Sequence, residues 1–151
     1  MSLISKILAP DCVMLDSESA SKKRVFEHVG LLFENTLGIA RSQVFDSLFA
    51  REKLGSTGLG QGVAIPHGRV KGLRDAAAAF VKMSTPIPFD APDGQPVKFI
   101  FVLLVPERAT DLHLQILGEL AQMFSEQSFR DRLEATDDPT EMHQLFNDWN
   151  A

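Results

Sequence analysis

The stretch Gly55-Ser-Thr-Gly-Leu-Gly-Gln-Gly-Val-Ala-Ile-Pro-His-Gly68 constrains the fold more than any other part of the chain. Five of the ten glycines fall in these 14 residues. Glycine loses the most backbone entropy in a helix and Pro66 removes a donor, so no stable helix runs through here. The segment must be a loop defined by its backbone. Val63–Ile65 is the exception, a short apolar run that reads as a strand ending at Pro66.

Helical patterns precede this loop. Val25, Val29, Leu32 and Phe33 recur at i, i+4, i+7 and i+8, one face of a helix. Ser19-Ala20-Ser21 opens that helix ahead of Lys22-Lys23-Arg24, and Gly38 stops it. A second helix is expected after Ala40, with Ser42 as N-cap, Val44, Phe45, Leu48 and Phe49 on its apolar side, and Gly55 as its end. Past the loop, Ala76–Met83 and Val97–Val105 read as strands. The latter is apolar on both alternating faces, as in a strand covered on both sides. Pro86 to Pro96 reads as a turn region. Helices are expected over Leu112–Glu126, Ser128–Ala135 and Pro139–Trp149. A chain of 151 residues with this alternation predicts one α/β domain, its sheet sandwiched by helices.

Charge and hydropathy exclude some roles. With 15 basic and 20 acidic residues the net charge is −5, so no basic excess exists to neutralise a nucleic-acid backbone. The longest apolar runs, Ala76–Val81 and Phe99–Val105, fall far short of the roughly 20 residues a membrane-spanning helix needs. The opening residues MSLISKILAP lack the long apolar core of a signal peptide. Cys12 is the single cysteine and forms no intrachain disulfide. These features predict a cytoplasmic protein.

Four histidines are candidates for chemistry. His28, at the flank of its helix, and His143, in the polar C-terminal helix, read as surface or partly packed rings. His67 stands between Pro66 and Gly68 at a strand end. Pro66 restricts the chain before it, and Gly68 is expected to leave space beside the ring. A histidine on such a turn is well placed to meet a ligand; the alternative is an exposed loop residue. His113 shares a helical face with Ile116, Leu117, Leu120 and Phe124. It heads that buried stripe in the first turn, after Thr110 or Asp111 as N-cap, where backbone N–H groups favour anions. The alternative is a core histidine satisfied by a carbonyl. Arg51 lies seven residues after Val44 on the same face, one turn before Gly55. It could pair an anion bidentately, complement the helix dipole, or pair with Glu52.

Together the three suggest an anion site with a nucleophilic histidine. Metal ligation by His67 and His113 is the rival, but a catalytic zinc takes three protein ligands and no HExxH or CxxC supplies them. No G-x-S-x-G elbow or Walker phosphate loop occurs.

Longer matches carry a family resemblance. Arg51-Glu-Lys-Leu-Gly-Ser-Thr-Gly58 leads to Ala64-Ile-Pro-His-Gly68, followed by Thr85-Pro-Ile-Pro-Phe-Asp90, Leu103-Leu-Val-Pro106 and His113-Leu114; Ser21-Lys22-Lys23 fits as well. On these residues the chain resembles the fructose/mannitol-type (type 2) enzyme IIA domains of the bacterial phosphotransferase system, over residues 2–149. It is most similar to the nitrogen-regulatory enzyme IIA, since it is expected to stand alone without the IIB or IIC segment to which a sugar-transporting IIA is often fused. Val63 departs from the isoleucine common there, and the segment from Glu107 to Asp111 varies in the family.

The resemblance implies a single domain with a small mixed β-sheet flanked by helices on both faces. It implies that His67 takes a phosphoryl group on Nε2 from a histidine of an HPr-like carrier. By the same likeness His113 donates to a phosphoryl oxygen, and Arg51 pairs with the phosphate. Such a phosphotransferase needs no cofactor, metal, nucleic acid or membrane insertion. Leu59 and Val63 are expected to meet the carrier. The implied role is regulatory signalling of the nitrogen/potassium type. The alternatives are the IIA component of a fructose/mannitol-type transporter, or a non-catalytic regulatory binding module with the same fold.

Overall fold

The computed structural model describes residues 2–108 and 111–150. Among them the order is α1 (Leu3–Ile7), β1 (Leu8–Ser17), α2 (Lys22–Leu37), α3 (Arg41–Glu52), β2 (Gly58–Gly60), β3 (Val63–Ala64), β4 (His67–Val70), β5 (Ala77–Ile87), β6 (Val97–Pro106), α4 (Asp111–Ser125), α5 (Gln127–Ala135) and α6 (Pro139–Asp148). The sheet runs β1-β5-β6-β3-β2, with β4 also alongside β6. It is mixed. β6 is antiparallel to β5, with Phe101 opposite Phe80, and parallel to β3 and β4.

Phe99 to Val105 of β6 are all buried, which a strand covered on both faces requires. One helical layer is α2 packed on α3, with α3 against β4; the other gathers α1, α4, α5 and α6. Phe80 and Phe101 share one sheet face, and both meet Phe146 of α6, at 4.7 and 5.6 Å between ring centroids. Phe124 of α4 and Phe129 of α5 close the same cluster. Each such ring contributes roughly 1.5–3 kcal/mol on burial. The expected α/β sandwich is therefore what the chain builds.

Several boundaries differ from the sequence reading. Ser42 is not an N-cap, because α3 already begins at Arg41. The side chain of Ala40 offers no cap, and Glu34 fills that role by accepting from the Arg41 N–H at 3.1 Å. α3 also ends at Glu52, short of Gly55, and the chain leaves it through tight bonds from the Leu54 N–H to Arg51 and from the Gly55 N–H to Glu52. β5 continues through Pro86 to Ile87, which rejoins β6 opposite Val97 after a register shift. Asp111 lies inside α4, and Thr110, the other N-cap candidate, is outside the described residues.

β1 has no counterpart in the sequence reading. It is an edge strand, parallel to β5, with two register shifts that accommodate Pro10 and the left-handed backbone at Asp16. An apolar alternation this broken shows no period of two, so only pairing with β5 makes it a strand.

Candidate functional site

β3 and β4 lie along the same side of β6 and are separated by Ile65 and Pro66. The Pro66 carbonyl accepts from the Leu103 N–H at 2.9 Å, but the proline has no N–H to return, so the ladder is interrupted there. His67 restarts it opposite Leu103. The break turns the histidine back on its own loop, and its Nδ1 lies 2.9 Å from the Ile65 carbonyl oxygen. A carbonyl only accepts, so Nδ1 carries the proton and Nε2 of the neutral ring is left with a bare lone pair. The Ile65 N–H in turn bonds the Thr57 carbonyl at 3.0 Å, tying this tautomer-fixing group to the glycine segment.

Burial pushes the His67 imidazole below its ordinary value. The Ile65 carbonyl opposes this, the Arg51 charge adds to it, and the Glu52 carboxylate works against it. Burial wins because an imidazolium loses hydration there that one carbonyl cannot replace.

His113 stands in the first turn of α4 with its ring edge-on to His67, centroids 5.3 Å apart and planes at 70°. No carbonyl among the described residues satisfies it. Its Nε2 is buried without a hydrogen-bond partner among the described residues. Its pKa is also lowered, by burial first and then by His67 and Arg69. A buried, unpaired imidazole nitrogen is costly unless something else comes to meet it.

Arg51 closes the end of α3, where its Nη1 donates to the Gly55 carbonyl at 2.9 Å. It does not pair with Glu52. That carboxylate is buried and already accepts from the Thr57 N–H (3.0 Å), the Thr57 hydroxyl (2.6 Å) and the Lys22 ammonium (2.9 Å). Ser56 donates to the Phe89 carbonyl at 2.6 Å and accepts from the Gly58 N–H at 3.0 Å. A Cβ at Gly58 would stand 2.8 Å from that of Ala91. Glu52 to Gly58 thus hold the loop in shape, and among the described residues Arg51 has no carboxylate partner.

Gly68 is small for a different reason than expected. A Cβ there would overlap the Ser47 hydroxyl and sit 3.0 Å from the Ser47 carbonyl, so the absent methyl makes room for α3, not for the ring of His67. Ser47 donates to the Arg69 carbonyl at 2.8 Å, and Arg69 Nη1 donates to the Glu107 carbonyl at 3.2 Å. Arg69 therefore ties β4 to the segment that leads into α4. The sequence reading missed it, although the period of two on a strand puts it on the same face as His67.

Val63 cannot meet a partner, because it is 1% exposed in the sheet; Leu59 remains available at 41%. Leu54 and Leu114 are more exposed still, at 84% and 68%. The other histidines stand apart from this cluster. Nδ1 of His28 lies 2.7 Å from the Ser19 hydroxyl, and Nε2 of His143 donates to the Leu8 carbonyl at 2.9 Å.

The arrangement offers one neutral nucleophilic nitrogen, a second imidazole beside it, and the charges of Arg51 and Arg69 acting on the two rings. That set suits an electrophile surrounded by anionic oxygens. Among the described residues no three His, Cys, Asp or Glu side chains gather to hold a metal ion, and no helix is long and apolar enough to cross a membrane.

The chain is similar to known proteins along nearly its whole length. A nitrogen regulatory protein of Pseudomonas aeruginosa is 41% identical over 146 residues, 96% of this chain and 95% of the relative. The crystal structure of the nitrogen regulatory protein IIA-Ntr from Neisseria meningitidis superposes with a TM-score of 0.90 at 52% identity, covering 96% of this chain and 99% of that one. The mannitol IIA of Escherichia coli shares the fold, with a TM-score of 0.77 at 20% identity over 91% of this chain and 97% of that one. The model of the phosphoenolpyruvate-dependent sugar phosphotransferase system EIIA 2 family matches residues 6–149, and the chain belongs to that family.

Proposed function

We propose that this protein is a histidine phosphocarrier that accepts a phosphoryl group on Nε2 of His67 from a phosphohistidine of an HPr-like protein. The observation that carries the reading is the bond from His67 Nδ1 to the Ile65 carbonyl, which leaves Nε2 unprotonated beside His113. The Nε2 lone pair attacks phosphorus in line with the departing nitrogen. The donor's P–N bond breaks and its electron pair returns to the donor imidazole. In the neutral tautomer held by Ile65 no proton has to leave Nε2 first, and burial favours that neutral form.

Arg51 balances the charge spread over the transferred oxygens. His113 with its proton on Nε2 donates to one of them, which gives that unpartnered nitrogen its purpose. Leu54, Leu59 and Leu114 are exposed apolar side chains suited to a transient carrier contact. The names of the relatives at 41% and 52% identity support a role in nitrogen-related regulation over sugar uptake. In that role, unphosphorylated protein and its phosphorylated form bind different targets, because a phosphate at His67 adds negative charge to the surface that docks.

The test is incubation with phosphoenolpyruvate, enzyme I and an HPr-type carrier. The wild type should gain an acid-labile, base-stable phosphate mapped by mass spectrometry to His67, and His67→Ala should gain none. Label at another residue, or no label on the wild type, would remove the proposal.

A further inference from the structure

A second concavity lies against the first turns of α4. It has a volume of about 720 Å³ and is bordered by α1, the segment before β5, the end of β6 and α4. Its floor is apolar, with Ile7, Ala76 and the fully buried Ile116. Around the rim stand Lys6, Arg74 and Arg108. Asp75 is the one carboxylate among its lining residues. Among the described residues none of the three cations forms a salt bridge or a side-chain hydrogen bond, whereas Lys22, Arg24, Arg41, Lys82 and Lys98 all find carboxylates.

The whole chain carries −5, so three unpaired cations around one apolar hollow run against its average. Three cations set against the single carboxylate of Asp75 leave a local positive excess, and a bound anion relieves the repulsion among them. The volume falls within the usual size of a small-molecule site, and an apolar floor with a few charged groups is the usual lining of one. A concave hollow bordered by four separate segments is of the kind that takes a compact ligand.

We propose that this hollow binds a small amphipathic anion. Its aliphatic or aromatic body seats on Ile7, Ala76 and Ile116, and its carboxylate or phosphate monoester is held by Lys6, Arg74 and Arg108. The site is separate from His67 but shares α4 with it, since the lining residues Leu112 and Ile116 bracket His113 along that helix. The inference does not depend on the phosphocarrier reading.

Three probes with one body and different head groups test it: 1-naphthyl phosphate, 1-naphthoate and uncharged 1-naphthol. Each is titrated into isotope-labelled full-length protein and followed by amide chemical shifts. Both anions should bind more tightly than the naphthol and move the resonances of Lys6, Ala76 and Leu112. The order of the two anions identifies the preferred head group. Arg74→Gln with Arg108→Gln should weaken both anions about tenfold or more and leave the naphthol unchanged. Ala76→Phe, which fills the floor, should weaken all three, and an unchanged amide spectrum elsewhere shows that each variant is folded. Equal affinity for naphthol and the anions, shifts confined to Gly58, His67 and their neighbours, or anion binding unaltered in the double variant would overturn the proposal.

Discussion

Two regions of this protein use a histidine to join a strand to its surroundings, and they do opposite things with it. At the seam between α6 and β1, His143 spends Nε2 on the buried Leu8 residue, whose carbonyl accepts at 2.9 Å. At the start of β4, His67 spends Nδ1 on Ile65 and keeps Nε2 bare. Both rings are half-buried and both bonds have the same length, so exposure and bond strength do not separate them. What separates them is which nitrogen is consumed and what stands next to the other. His67 faces a second imidazole and feels the charge of Arg51; among the described residues His143 stacks on no second imidazole. A histidine becomes a candidate for chemistry when its packing leaves one nitrogen over and its neighbours supply charge for that nitrogen's ligand.

The neighbours of His67 carry most of this contrast. Arg51→Ala and His113→Ala should each slow phosphate arrival from the carrier by roughly ten- to a hundredfold, the size of one lost charge-assisted contact, with the melting curve unchanged in shape. Wild-type rates in a quench-flow assay would reduce the corner to the status of the α6 seam.

A smaller effect sharpens it. Because burial lowers the pKa of both His67 and His113, their NMR titration midpoints should lie below about 6.5, the ordinary imidazole value. The folded protein binds fewer protons at these rings than the unfolded chain in that window. Their contribution to stability is therefore present above the unfolded value and is lost as pH falls through the folded one. Midpoints at or above the ordinary value would break the argument for a neutral nucleophile. The smallest expected effect on transfer belongs to His143→Ala. It should leave phosphate uptake untouched and lower stability by about 1–3 kcal/mol, read as a shift in the urea midpoint, because the Leu8 carbonyl loses its donor.

The two regions also differ in how far they could be read in advance. The glycine segment announced itself, and with it the loop, the strand end and the pairing of His67 with Arg51 and His113 as candidates. The motif around it is mostly scaffold. Glu52 holds Thr57 and Lys22, Ser56 holds Phe89, and Gly68 yields to Ser47, contacts between residues as much as 33 positions apart. No local pattern separates such a bracing residue from one that touches a ligand. Lys82 makes the same point in the core. It sits in a strand that reads as apolar, and its buried ammonium is possible because the Glu134 and Thr136 carbonyls at the end of α5 accept from it at 2.9 Å.

Periodicity and glycine placement by themselves determined the long helices, the two central strands and the place where regular structure must stop, because each depends on residues within a turn or two of one another. Tertiary structure alone decided that Leu8–Ser17 is a strand, which histidine nitrogen stays bare, and that His67 and His113, 46 positions apart, meet edge to face. Those outcomes depend on hydrogen bonds and burial supplied by distant segments, and a linear sequence does not contain the geometry that brings such segments together.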